Sequence, residues 1–230
     1  MDAWTTNSVQ AADRVSAFLW KVYGWMAVGL GLTALVAFAV AGSPDLLRVL
    51  IGNRLVFFAL VIAELGLVFF MSARADRLAP GTAAGLFALY SALNGVTLSV
   101  ILLAYTGESV TMTFVVTAGM FGALALFGST TKRSLAGAGQ FFMMGLVGLI
   151  LASIIGMFWH NDALQFLISV VGVIVFTGLT AWDAQRLKQM ALALPAGQVG
   201  AYAVVGALSL YLNFINLFLM LLRFTGSRRG

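Results

Sequence analysis

The stretch from Ala163 to Lys188, ALQFLISVVGVIVFTGLTAWDAQRLK, decides the fold. Residues 163–182 form a run almost without charge, about as long as the roughly 20 residues a helix needs to cross the hydrocarbon core of a bilayer. An aspartate, Asp183, closes the run, and two cations, Arg186 and Lys188, follow it. A carboxylate at or near membrane depth is costly, and such groups are functional more often than decorative. Whether that rule applies here depends on whether the rest of the chain is built in the same way.

It is. Of 230 residues, 61% are hydrophobic and 9% charged, whereas roughly a quarter of the residues of a soluble domain are charged. Apolar runs of spanning length lie at about 22–42, 55–73, 82–104, 110–129, 139–159, 163–182 and 200–222. Surface turns separate them: GSPD at 42–45, SARADRLAPG at 72–81, TGES at 106–109, TTKRS at 130–134, WHND at 159–162 and LPAGQ at 194–198. The sequence therefore predicts an all-α polytopic membrane protein, a single transmembrane domain over 1–230 with seven spans. AVAG at 39–42 resembles a signal-peptide cleavage site, but the segment before it is too long for a charged leader, so the first run is expected to be a retained helix.

Basic residues predict the orientation. Arg14, Lys21, Arg74, Arg77, Lys132, Arg133, Arg186 and Lys188 flank runs on the side of the N-terminus, against Arg48 and Arg54 on the other. The positive-inside rule then puts the N-terminus in the cytoplasm. Arg223, Arg228 and Arg229 disagree, because seven full crossings leave them outside; either the last run is re-entrant or the earlier loops dominate, and its length favours the second. Trp159 and Tyr105 at outer ends, with Trp20 and Trp182 near inner ends, fit an interfacial aromatic belt.

Three runs carry polar residues on one helical face: Tyr90, Asn94 and Thr97 in the third, Thr177, Thr180 and Asp183 in the sixth, and Ser209, Asn213, Asn216 and Arg223 in the last. The plain reading is hydrogen bonding between helices, worth about 1 kcal/mol per bond; the functional reading is a lined path. Glu64 stands apart, mid-run in FFALVIAELGLVFF with no cation within a turn. Apolar surroundings favour its neutral form, so it is either a protonated donor tying two helices together or part of a proton or cation path. For Asp183 the plain alternative is a solvated helix-end acid paired with Arg186. GTAAG at 81–85 has the small-xxx-small spacing of close helix packing.

Other chemistries find no residues. Cysteine is absent and His160 is the single histidine, in a turn, so neither a metal cluster nor a Ser-His pair is expected. Lys21, Lys132 and Lys188 all lie at run ends, which leaves no mid-helix amine for a retinal Schiff base. The net charge of +5 is scattered in pairs between runs and does not suggest a nucleic-acid partner. No enzyme is expected, and no cofactor.

With these positions named, the chain resembles the Bax inhibitor-1, or transmembrane Bax inhibitor motif, family. GLTAWDAQRLKQM at 178–190 and ALSLYLNFINLFLMLLRFTG at 207–226 look like its last two helices, YSALNGVTLSVIL at 90–102 like its third, and Glu64 occupies the place of an acid in its second. The resemblance implies a seven-helix bundle with the last helix central, in the inner membrane of a bacterial cell. It implies a pH-sensitive calcium leak channel with a cytoplasmic gate, where two aspartates share a proton and an arginine latches one of them. Asp183 matches the first aspartate, Asn213 stands where the second is usual, and Arg74 or Arg77 is the expected latch. Glu64, Asn94, Ser209 and Asn216 would lie along the path, and Asp183 and Glu64 would be weak calcium ligands. The alternative is a non-conducting protein that restrains another membrane protein, such as a protease.

The asparagine matters physically. Two close carboxylates cannot both ionise cheaply, so such a pair responds to pH near neutrality. Asp183 with Asn213 carries one titrating group, and calcium sites weaken as carboxylates are lost.

Overall fold

The computed structural model describes residues 3–159, 161–195 and 198–229; His160 lies outside them. The described residues form eight helices: α1 (Ala3–Ala41), α2 (Pro44–Gly52), α3 (Arg54–Ala73), α4 (Pro80–Leu103), α5 (Gly107–Thr130), α6 (Ala136–Phe158), α7 (Asp162–Ala193) and α8 (Val199–Thr225). All but α2 are long and apolar enough to cross a bilayer. The protein is an all-α, polytopic membrane protein.

Local chemistry sets the helix boundaries. Asn53 caps α3 by accepting from the backbone N–H groups of Leu55 and Val56, and Asn161 does the same for α7 through Ala163 and Leu164. Thr106 caps α5 through Ser109. Proline opens α2 and α4, where its missing N–H leaves no bond unmade. Three boundaries differ from the sequence expectation, the first being that of α1, which begins at Ala3 and not near 22. The GSPD turn leads at once into α2, and α7 continues past 182 to Ala193, because AQRLKQMALA holds no glycine or proline before Pro195. Asp183 is therefore inside a helix, not at its end.

Burial separates the spans. In α8, 72% of the most apolar stretch is buried, against 11% in α3 and in α6, so α8 is the most enclosed span. Exposed Phe38, Leu55, Phe69, Phe141 and Phe158 mark surfaces suited to lipid.

The chain divides into two compact units. The first comprises 1–104 and 189–211. In it α1 packs along α4, and Gly95 makes this possible, since a Cβ there would come within 2.7 Å of the Thr33 carbonyl oxygen. Gly81 and Gly85 face open space, so the GTAAG spacing is not a packing motif here. The second unit comprises 105–188 and 212–230, with an apolar core that includes Leu149, Val175, Phe176, Leu179, Leu217 and Met220. A Cβ at Gly128 would strike the backbone of Ala181, which is how α5 reaches α7.

The segment after α8 is tied down. Thr106 N donates to Ser227 O at 3.0 Å, Ser227 N donates to Ser109 Oγ at 3.0 Å, and Tyr105 bridges Arg228. Arg223 Nη1 donates to Gln165 Oε1 at 3.3 Å. The end of α8 thus lies beside the starts of α5 and α7. An unbroken helix of 27 residues, about 40 Å long at 1.5 Å per residue, is long and apolar enough for a full crossing. Tyr105 is buried in this arrangement and does not belong to an interfacial belt, whereas Trp20 and Trp159 are exposed.

Candidate functional site

Asp183 lies on α7 ten residues before the helix ends and is 8% exposed, so it is not a solvated acid. Its Oδ2 accepts from Asn213 Nδ2 of α8 at 2.8 Å. Its Oδ1 faces Arg186 Nη1 at 3.8 Å, one turn along the same helix. Arg186 is half exposed and also lies over the Trp182 ring, 5.7 Å from its centroid. A partly solvated guanidinium at this distance is held weakly. The buried carboxylate is thus tied firmly to one helix through an amide and loosely to a cation that can swing into water.

The next residues anchor this end of α7. Gln185 Nε2 donates to Arg133 O at 2.9 Å while its Oε1 accepts from Leu135 N at 2.8 Å, so one side-chain amide pairs with the α5–α6 connection as a strand would. Lys188 Nζ donates to Ser129 O at 2.7 Å and closes the carboxyl end of α5. Thr180 bonds back to Phe176 O, and Thr177 Oγ1 is buried without a partner.

Glu64 belongs to a second polar cluster, within the first unit. Its Oε1 accepts from Thr97 Oγ1 at 2.5 Å and its Oε2 faces Asn94 Nδ2 at 3.2 Å. Beyond Asn94 stand Tyr211 and Thr33, with Phe87 and Tyr90 set edge-on against the Tyr211 ring.

The remaining candidates are used locally. Ser209 and Asn216 bond to the backbone of their own helix, at Val205 O and Leu212 O, and are half-buried. Arg74 sits over Phe70, 5.2 Å from the ring centroid, and Arg77 is 3.6 Å from Asp76. Among the described residues no three His, Cys, Asp or Glu side chains gather as a metal site would require. Asp183 and Glu64 each offer one carboxylate, where calcium takes roughly six to eight oxygens; that suits passing contact with a cation better than a resident ion.

A family model described as an inhibitor of apoptosis-promoting Bax1 matches residues 15–230. The chain belongs to the Bax inhibitor-1 family. Among its relatives are the inner membrane protein YbhL of Escherichia coli strain K12, 48% identical over 96% of each chain, and an uncharacterized protein of Borreliella burgdorferi, 44% identical over 93% of each. A protein of Caulobacter vibrioides is 44% identical, covering 96% of this chain and 92% of its own.

Sequence reasoning missed Thr33, Tyr211 and Gln185. Tyr211 carried a usable signal, since a phenol in the middle of an apolar span needs a polar partner for its hydroxyl. Thr33 and Gln185 carried none, because their partners lie 178, 50 and 52 residues away in the chain.

Proposed function

We propose that this Bax inhibitor-1 protein is a pH-sensitive cation leak channel of a bacterial inner membrane, with calcium as its expected ion and its N-terminus in the cytoplasm. The location is carried over from YbhL, an inner membrane protein of Escherichia coli. The gate is Asp183 with Asn213 and an arginine: Arg186 faces Asp183 on the same helix at 3.8 Å, and Arg74 or Arg77 is the latch that the resemblance implies. One observation carries the reading: a buried carboxylate on α7 is held by a single amide of α8 at 2.8 Å, with its countercharge half in water at 3.8 Å. Such a carboxylate gives a passing cation a negative contact, and loss of one weak ion pair leaves the Asn213 amide as its single tie. Glu64 and Asn94 lie along the path in this reading. Calcium flux into liposomes that contain only this protein tests it, and a non-conducting partner protein gives no flux.

A further inference from the structure

Five polar contacts run in a line through the first unit: Thr97 to Glu64, Glu64 to Asn94, Asn94 to Tyr211, Tyr211 to Thr33, and Thr33 to the Ser91 carbonyl. Each needs one hydrogen. With Glu64 ionised and the Asn94 amide turned so that Nδ2 faces the carboxylate, the groups in the line place four: one each from Thr97, Asn94, Tyr211 and Thr33. Tyr211 gives its hydrogen to Asn94 Oδ1. Thr33 then has one hydrogen for two acceptors, Tyr211 at 2.6 Å and Ser91 O at 2.8 Å. One contact is left as two facing lone pairs in a buried site, which is costly.

A single change removes the shortage. Let a proton from solvent bind Glu64 Oε2 and let the Asn94 amide turn over. Glu64 then donates to Asn94 Oδ1, Asn94 Nδ2 donates to Tyr211, Tyr211 donates to Thr33 and Thr33 donates to Ser91 O, while Thr97 still donates to Glu64 Oε1. Every contact has its hydrogen, and neither change alone achieves this. We propose that Glu64 is a proton-binding site whose occupancy is coupled through the Asn94 amide to the direction of the Tyr211 and Thr33 hydroxyls, so that a proton on α3 is registered on α8 and α1.

Among the described residues no cation pairs with the carboxylate, and the ion pairs lie elsewhere. Of the elements packed against α3, α2 carries Asp45 and Arg48, which are exposed and face each other, and α4 carries Tyr90. Tyr211 on α8 is the remaining titratable neighbour. The inference does not rest on the leak reading, since a protein that conducts nothing would still bind this proton.

Infrared spectroscopy of the purified full chain across a pH series tests it. A carboxylic C=O band should be present at neutral pH and absent from E64Q. In T33V and in Y211F the ionised state no longer lacks a hydrogen, so the band should vanish at a pH about one unit lower, the worth of one hydrogen bond. T117V, which removes a buried hydroxyl bonded to its own helix, should leave the band unchanged. Burial alone gives the opposite sign, because both variants make the surroundings more apolar. The proposal is overturned if wild type and E64Q do not differ at neutral pH, or if the band persists to the same or higher pH in T33V and Y211F. Thermal unfolding provides a second reading: the side-chain amide introduced by E64Q supplies the fifth hydrogen permanently, so this variant should be at least as stable as wild type at alkaline pH, and lower stability there contradicts the account.

Discussion

Asn213 reaches across from α8 to donate to Asp183 through its amide, where an aspartate at that position could donate only when protonated, through a carboxylic O–H. The bond therefore holds whether or not the solution is acidic. D183N keeps an oxygen for Asn213 to donate to and should fold normally. D183L leaves the buried Asn213 amide without its acceptor and should lose about 1–2 kcal/mol, read as a lower Tm in detergent. Equal Tm values for D183L and wild type would mean that the bond contributes nothing.

Gln185 makes a sharper prediction about the same end of α7. Its amide satisfies both Arg133 O and Leu135 N. Q185A removes two bonds and should destabilise by about 1–3 kcal/mol. Q185E keeps the acceptor for Leu135 N but turns a donor toward Arg133 O into an oxygen, so it should rescue at most half of the loss. Limited proteolysis within 131–135 should rise in both variants, and unchanged cleavage would show that the clamp does not order the connection.

Topology can be checked at the tail. The Tyr105–Arg228 bridge and the Ser227 bonds put the segment after α8 beside the start of α5. A reporter fused after Gly230 should therefore respond as one inserted at Glu108 does, and opposite to one after Lys188. Positive-inside counting predicts that the Lys188 reporter responds as cytoplasmic. Gly230 and Lys188 reporting the same side would contradict the full crossing of α8.

How much of this was legible beforehand differs by scale. The seven spans were readable because a bilayer demands about 20 apolar residues wherever it is crossed, and that demand is written locally. Asp183, Asn213, Glu64 and Asn94 were readable as polar residues in apolar runs. Their partners were less so: Thr97 was visible on the Asn94 stripe, but Thr33, Tyr211 and Gln185 join through tertiary packing that no spacing encodes. Gly81 and Gly85 show the converse error, since small-residue spacing marks a surface that can pack closely without saying that anything packs there. Asp183 was placed at a helix end because apolarity stops at 182, yet a helix needs only residues that tolerate it, and these run on to Ala193.

N213D restores the second acid against Asp183. The two carboxylates are expected to hold one proton between them near neutral pH, and coupling beyond about one unit would appear as two titration steps. Loss of that proton replaces a hydrogen bond between α7 and α8 by like-charge repulsion. Calcium leak through N213D should therefore rise with pH between roughly pH 6 and 8 more steeply than through wild type, with calcium bound more tightly when both acids are ionised. Superimposable pH profiles of two folded proteins would mean that residues 183 and 213 do not act together.

Calcium entry into liposomes holding this protein alone, compared between wild type and D183N, bears most directly on the proposed gate. Wild type should admit calcium faster than empty liposomes. D183N should be slower by about fivefold, the weight of roughly 1 kcal/mol of attraction by one carboxylate in a wet pathway. Wild-type entry no faster than in empty liposomes would contradict the leak reading, and equal entry through wild type and folded D183N would remove Asp183 from the gate.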